Sequence, residues 1–322
     1  MKILITGGFG DIGIELVREL KRVGHNVIVF DLTTRLEKLN DTDNINIVKG
    51  NVLNLEDLLH AVTDNGKVDC IVHLAAMLPD DCESRPLEGM KVNVIGAANV
   101  MEACRIAGVR RLVYGSSSAI YGYGSMSTSD NIDEDYPKNP NGLYSISKYT
   151  AEKYLTYCSI KYGIVYSALR IRILAGSGQR LDTGLWRTLP LSRIVNELLT
   201  KKKSVFSIDP ETKIELTHPV DAARALALMC SKSKLDSKSY NLMSAVCTVR
   251  EIAKILESHI PGSKVIFPPL NLERTIIEDP LKFGNFDISR AINELGYSPQ
   301  YSAHSILEEC IDYELVQQKN KL

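Results

Sequence analysis

Thr6-Gly7-Gly8-Phe9-Gly10-Asp11-Ile12-Gly13 joins the apolar run Lys2–Thr6 to the helix-period stretch Asp11–Val23. Glycines carry information in that setting, directly after a strand and at the opening of a helix. Of Gly7, Gly10 and Gly13, one allows the tight turn, one lets a pyrophosphate approach the backbone, and one lets helix and strand pack closely. The helix N-terminus adds free N–H groups and partial positive charge for the phosphates. Asp31 closes the next apolar run, 18 residues beyond Gly13. A carboxylate there takes both hydroxyls of an adenosine ribose and repels a 2′-phosphate, so the expected cofactor is NAD rather than NADP. Arg35 is the one nearby group of opposite sign.

Lys2–Thr6, Asn26–Asp31, Ile45–Lys49, Cys70–Leu74, Arg111–Gly115 and Val165–Leu169 are the predicted strands. Each is short and nearly continuously apolar, as strands covered on both faces are. Asp11–Val23, Leu55–Val62, Leu87–Ala107 and Tyr144–Tyr162 carry helical spacing between them. The alternation predicts an α/β fold, a Rossmann-type doubly wound parallel sheet with right-handed crossovers. After about Arg170 the rhythm changes to Gly-, Arg- and Pro-rich segments around helical stretches at Ser192–Thr200, Asp221–Cys230 and Val249–Ser258. Residues 1–170 are therefore the expected NAD-binding domain. Residues 171–322 are a smaller substrate-binding domain, part of which returns to the main sheet.

Further positions fall along the expected path of the dinucleotide. Asn51 and Val52 follow the third strand, where an amide can address the adenine amino group, and Leu74, Ala75 and Ala76 close the fourth with small residues. Together with Gly7, Phe9, Gly10, Asp11, Ile12, Gly13 and Asp31 they make up the expected cofactor site. His73 reads as a packed strand-end histidine.

Tyr144 and Lys148 lie four residues apart on a predicted helix, so their side chains share a face about one turn apart. A phenol of pKa about 10 is too weakly acidic to serve as a base near neutrality. A neighbouring ammonium and an oxidised nicotinamide both favour the phenolate, and the same ammonium can hold the nicotinamide ribose. Both residues are expected at the cofactor as well as at the chemistry.

Composition removes several classes. A formal charge of −1 over 322 residues supplies no field for nucleic acid or an anionic membrane, so neither is an expected partner. Lys201-Lys202-Lys203 reads as a solvated helix end. The seven cysteines form no C-x-x-C pair, and their odd, scattered placement argues for reduced packing residues of a cytoplasmic protein. No metal site is expected. Met1-Lys2 runs into Ile3-Leu4-Ile5 without a charged-then-apolar leader, and no apolar run reaches membrane-spanning length.

The glycine segment, Asp31, His73-Leu74-Ala75-Ala76, Gly115-Ser116-Ser117-Ser118-Ala119-Ile120-Tyr121-Gly122 and Tyr144-Ser145-Ile146-Ser147-Lys148 together resemble the extended short-chain dehydrogenase/reductase family, of the NAD-dependent epimerase/dehydratase type. Weaker echoes follow in His218-Pro219-Val220-Asp221, Tyr240-Asn241-Leu242 and Leu295-Gly296-Tyr297-Ser298-Pro299. The resemblance implies that Ser117, four residues before Tyr121, completes a triad with Tyr144 and Lys148 by hydrogen-bonding the reacting oxygen, with Ser116 and Ser118 as fallbacks. It implies that Asn93 orients Lys148 through water. It also places Ser117, Ser118, Arg172, Arg180 and Arg187 at the substrate, where guanidinium groups suit a carboxylate; Trp186 is a lid or core residue there.

Members acting on nucleotide sugars carry an Asn shortly after the Leu-Arg strand end and an Arg before the Val-Asp-x-Ala stretch. Here the corresponding residues are Ile173 and Ile214-Glu215-Leu216, which weakens a diphosphate site. The implied activity is NAD-dependent hydride transfer at a hydroxyl-bearing carbon of a sugar, sugar acid or related small hydroxy compound. A UDP-sugar 4-epimerase is the alternative, and a non-catalytic NAD-binding scaffold is a third reading that intact Ser117, Tyr144 and Lys148 disfavour. A dehydratase would want a carboxylate pair beside Ser117, where Ser118-Ala119 stands, although Asp130, Asp133, Glu134 and Asp135 lie in the later loop. Similar proteins dimerise through the two long helices, so a homodimer is implied, with Ala97, Ala98, Val100, Met101, Tyr154 and Tyr157 supplying apolar surface.

Overall fold

Apolar runs bounded by turn residues become buried parallel strands here because helices cover them from both sides. The computed structural model describes residues 1–39, 45–122, 130–176, 190–235, 238–268 and 284–319. Its first half runs β1 (Lys2–Thr6), α1 (Asp11–Arg22), β2 (Asn26–Asp31), β3 (Ile45–Lys49), α2 (Leu55–Thr63), β4 (Cys70–His73), α3 (Pro79–Ser84), α4 (Pro86–Met90) and α5 (Gly96–Ala107). It continues through β5 (Arg111–Ser117), β6 (Asn131–Ile132), α6 (Leu143–Tyr162) and β7 (Val165–Ile171). The second half holds β8 (Ile173–Leu174), α7 (Leu191–Lys201), β9 (Lys203–Val205), β10 (Lys213–Thr217), α8 (Pro219–Ser231) and β11 (Ser239–Leu242). Then come β12 (Ala245–Thr248), α9 (Val249–His259), β13 (Lys264–Ile266), β14 (Asn285–Phe286) and α10 (Ala303–Lys319).

Seven parallel strands form the main sheet in the order β11-β7-β5-β4-β1-β2-β3, so the winding direction reverses between β1 and β4. Ligands of doubly wound sheets bind outside the strand carboxyl ends at such a reversal. β5 and β7 run two residues past their expected ends, pairing Ser116 with Arg170 and Ser117 with Ile171. Polar side chains interrupt the apolar pattern there, but the backbone ladder continues. β4 stops at His73, one residue short of the expected end.

Leu16, Val17 and Leu20 of α1 pack with Ala222, Leu226 and Cys230 of α8 on one face of this sheet. Leu58 of α2, Val100 and Met101 of α5 and Leu155 of α6 cover the other. This corrects the expected helix surface: Ala97, Val100 and Met101 are fully buried, because positions 97, 100, 101 and 104 make one helical stripe turned to the sheet. Ala98 is half-buried, while Tyr154 and Tyr157 are 41% and 66% exposed. The expected helix Leu87–Ala107 also changes its winding, passing from α4 through a π turn at Lys91–Ile95 into α5.

Past β7, β10 pairs parallel with β8 and antiparallel with β12 to form a second, three-stranded sheet. Its core combines Ile194 and Leu198 of α7, Ile214 and Leu216 of β10, Ile252 and Leu256 of α9, and Ile306, Leu307 and Ile311 of α10. Among the described residues no helix is long and apolar enough to cross a membrane.

Candidate active site

Three glycines make the turn after β1 sterically possible. Gly7 adopts φ +71°, and a Cβ there would sit 2.7 Å from the Ala75 amide nitrogen. A Cβ on Gly13 would approach the Gly7 carbonyl oxygen to 2.4 Å, so α1 packs on the turn only without a side chain. At Gly10 a Cβ would meet only that same oxygen, at 3.2 Å, which leaves the outer side of the turn open. Gly10 is the N-cap of α1, and no side chain caps the helix. Its first N–H groups therefore suit an anion.

The residues around the turn fit a dinucleotide. The Phe9 amide donates to the Asp31 carboxylate at 3.0 Å, which fixes Asp31 beside the glycines with its other oxygen bonded by the Thr33 amide. Phe9 itself is buried in the core, so its part at this site is its backbone. Asp11 and Ile12 are half-buried at the start of α1. Asn51 follows β3 with its side-chain oxygen accepting the Leu53 amide, and Val52 is buried against α5, where the Asn99 amide bonds its carbonyl. Leu74, Ala75 and Ala76 are half-buried past β4; the Leu74 amide bonds the Thr6 carbonyl at 3.0 Å, closing β4 onto β1.

His73 lies beneath these residues, 1% exposed, with Nδ1 2.7 Å from Thr6 Oγ1 and its ring stacked on Tyr114 at 5.6 Å. Burial, helped by the nearby Lys148 ammonium, pulls its pKa down from 6.5 to about 3. It is a neutral packing histidine, and its Nε2 lacks a hydrogen-bond partner among the described residues.

α6 is N-capped at Gly142, whose amide donates to Ser145 Oγ at 3.0 Å while that hydroxyl donates to the Gly142 carbonyl at 2.8 Å. The helix carries Tyr144 half-buried and Lys148 buried. The Lys148 ammonium donates to the Gly115 carbonyl at 2.8 Å, stands 4.8 Å from the Tyr114 ring centre and lies 5.8 Å from that of Tyr144. Burial lowers the Lys148 pKa from 10.5 to about 8, against the opposing pull of Cys82 and Glu152. Ser117 ends β5 two residues past Gly115, half-buried, with Oγ accepting the Ala119 amide at 3.2 Å. The fold therefore brings Ser117, Tyr144 and Lys148 to neighbouring strand and helix positions at the carboxyl edge of the sheet.

Asn93 lies in the π turn, 1% exposed. Its side chain bonds both the amide and carbonyl of Met77, at 2.8 and 3.1 Å, and donates to Ser147 Oγ at 2.9 Å. It ties the segment after β4 to α6 beside Lys148. Its described bonds go to Met77, Cys82 and Ser147.

Arg172 departs from expectation. The sequence reading puts it at the substrate, yet its side chain is 2% exposed and its Nε donates to Glu215 at 2.7 Å. Glu215 also accepts the Phe286 amide at 3.1 Å, and the Arg172 guanidinium stands 5.8 Å over the Phe286 ring. The arginine's charge is thus met by a buried carboxylate. Ser118, 4% exposed, lies 3.4 Å from Arg172 Nη1. Arg180, Trp186 and Arg187 lie outside the described residues. The loop carboxylates are committed to local partners: Asp133 accepts the Asp135 and Tyr136 amides, Asp130 the Tyr136 hydroxyl, Glu134 the Asn241 amide, and Asp135 pairs with Arg290.

Sequence reasoning missed Glu152, which bonds Ser116 and Arg170 just below this site. The signal was present, since positions 144, 148 and 152 repeat by four along one helix face.

Comparison with known proteins shows the family. The model of the NAD dependent epimerase/dehydratase family matches residues 3–242. UDP-glucose 4-epimerase of Lactobacillus helveticus is 35% identical over 224 residues, covering 66% of this chain and 65% of that protein. Mitochondrial L-threonine 3-dehydrogenase of Bos taurus is 23% identical over 317 residues, covering 97% of this chain and 82% of that protein. The solved structure of MoeE5 in complex with UDP-glucuronic acid and NAD aligns over 100% of both chains, with a TM-score of 0.77 and 26% identity. The family match begins in β1 and ends in β11, enclosing the glycine turn and the Tyr144–Lys148 helix, and on it this chain belongs to the NAD-dependent epimerase/dehydratase family of enzymes.

Proposed function

We propose that this enzyme uses NAD to oxidise a hydroxyl-bearing carbon of a sugar, sugar acid or related small hydroxy compound. The observation that carries the chemistry is the Lys148 ammonium, held at the Gly115 carbonyl and 5.8 Å from the Tyr144 ring centre. The glycine turn, Asp31, Asn51, Val52 and Leu74–Ala76 would hold NAD, which accepts hydride when bound. Tyr144 takes the hydroxyl proton, the Lys148 charge favours the phenolate it needs, and Ser117 hydrogen-bonds the reacting oxygen. Residues 1–170 then serve the cofactor, and the layer after residue 171 serves the substrate.

Residues of the second sheet support this substrate class. The resemblance places an Asn and an Arg-bearing segment of diphosphate-binding relatives where this chain has Ile173 and Ile214-Glu215-Leu216. The nearby Arg172 guanidinium is held by the buried Glu215 carboxylate, which supports a substrate without a diphosphate. Arg180 and Arg187 remain the proposed partners of a substrate carboxylate. A UDP-sugar 4-epimerase is the second reading, favoured by the 35% identity to the Lactobacillus helveticus enzyme. The test incubates the enzyme with NAD and D-glucuronate, D-gluconate, D-galactose, L-threonine or UDP-glucose, following NADH and sugar isomers separately. Accumulating NADH with one of the first four supports the proposal. Conversion of UDP-glucose to its 4-epimer without net NADH replaces it by the second reading.

We further infer a homodimer built on α4–α5 and α6. Leu87, Ile95 and Ile106 on the first, and Tyr157 and Ile160 on the second, are about half or more exposed, with Ile160 at 70%. A cytoplasmic location is supported by the seven cysteines, all buried and free.

A further inference from the structure

Glu152 lies one helical turn beyond Lys148 and two beyond Tyr144, on the face of α6 that meets β5 and β7. Arg170, at the end of β7, grips its carboxylate with Nε at 3.2 Å and Nη2 at 2.9 Å, and both side chains are 7% exposed. Ser116 Oγ donates to the oxygen that Nε also holds. The remaining arm of Arg170, Nη1, donates to the Tyr121 hydroxyl at 2.9 Å and to the Glu134 carbonyl at 2.8 Å. The Tyr121 hydroxyl in turn donates to Asn241 Oδ1 at 2.7 Å on β11.

A buried ion pair adds little net stability compared with well-packed apolar residues. The partners of this one point to a different use. Ser116 immediately precedes Ser117, and Tyr121 closes the short 3₁₀ turn Ser118–Tyr121 that follows it. The backbone of Ser117 is therefore held on both sides by groups bonded to one carboxylate–guanidinium unit. The carboxylate of that unit belongs to the helix that carries Tyr144 and Lys148.

We propose that Glu152 and Arg170 are a positioning pair that holds Ser117 in place against Tyr144 and Lys148. The inference rests on the catalytic assignment made under Proposed function. Displacement of a reacting group by about 1 Å can cost about a hundredfold in rate, so loosening either end of the Ser117 segment lowers kcat and spares cofactor binding.

The test uses the full-length enzyme with NAD and whichever of D-glucuronate, D-gluconate, D-galactose, L-threonine and UDP-glucose it turns over. Ser116→Ala and Tyr121→Phe each remove one hydroxyl and leave the ion pair in place. Each is expected to lower kcat by about 10- to 100-fold, with KM and NAD affinity within about twofold of wild type. In a Ser117→Ala background the same two substitutions should change kcat by less than about twofold, because they act through Ser117. A purely structural role predicts equal losses in both backgrounds. The proposal is overturned if the losses add to that of Ser117→Ala, or if both variants keep wild-type kcat while Tyr144→Phe is inactive. Full turnover by Tyr144→Phe, or no reaction of the wild type with any of the five compounds, overturns the catalytic assignment and the pair's role with it.

Discussion

The Lys148 ammonium donates to the Gly115 carbonyl at 2.8 Å, which pins the second turn of α6 to the strand that ends in Ser117. The bond keeps a buried cation at the site, and burial has a measurable consequence. Between pH about 8 and 10.5 the unfolded chain retains a proton that native Lys148 has released. Stability therefore rises with pH across that window, and below it the native state carries the whole cost of burying the ammonium. A displacement of this size corresponds to roughly 3 kcal/mol. Urea denaturation should show wild type gaining about that much relative to Lys148→Met as pH increases through the window. A difference that stays flat with pH contradicts the burial of this charge.

His73 gives the complementary result at low pH. Its native pKa is depressed from 6.5 to about 3, so the stability tied to the neutral ring is complete above 6.5 and is lost as pH falls toward 3. The expected slope is up to about 1.4 kcal/mol per pH unit in that interval. His73→Phe keeps a ring against Tyr114 but removes the titration. Its stability should fall less steeply in acid than wild type, even if the lost Thr6 bond costs about 1 kcal/mol at neutral pH. Parallel acid curves for the two proteins count against a buried neutral His73.

Gly13→Ala should separate packing at the cofactor turn from ordinary glycine effects. The new Cβ would press on the Gly7 carbonyl at 2.4 Å, so the turn must move. NAD affinity measured by calorimetry is expected to drop at least about tenfold, with a stability loss of about 1–3 kcal/mol. Gly24→Ala is the control, strained by φ +80° but with nothing within 4 Å, and should leave NAD affinity unchanged. Equal NAD affinities for the two variants contradict the role given to Gly13.

The dimer inference is tested by charge. Tyr157→Arg and Ile160→Glu place polar groups on α6 surface that is 66% and 70% exposed, so the isolated fold should tolerate them. Light scattering after gel filtration should report a monomer for the pair and a dimer for wild type. A monomeric wild type removes the inference.

Much of this architecture was legible because parallel strands buried on both faces announce themselves as short apolar runs. Lys2–Thr6, Asn26–Asp31 and Ile45–Lys49 carry the same bounds in sequence and structure. Pattern failed where backbone pairing outlasts apolar side chains, as at Ser116-Ser117 and Arg170-Ile171. α10 went unread, although Ile306, Leu307, Cys310 and Ile311 repeat at helical spacing, because its partners lie in distant elements α7 and α9. At the site, Asp31 and the glycines were readable from local spacing, since a turn and the adjoining strand end position them. Arg172 was not, because its partner Glu215 is 43 residues away and only folding brings the two charges together. The helix faces at Val100 and Met101 were read outward for a related reason: an apolar stripe does not reveal which neighbour covers it.

The most direct test of the whole account is Tyr144→Phe, assayed for NAD binding by calorimetry and for NADH formation with the substrate that wild type oxidises. NAD affinity should stay within about twofold of wild type while turnover falls by at least about a thousandfold. Turnover near the wild-type rate would contradict it.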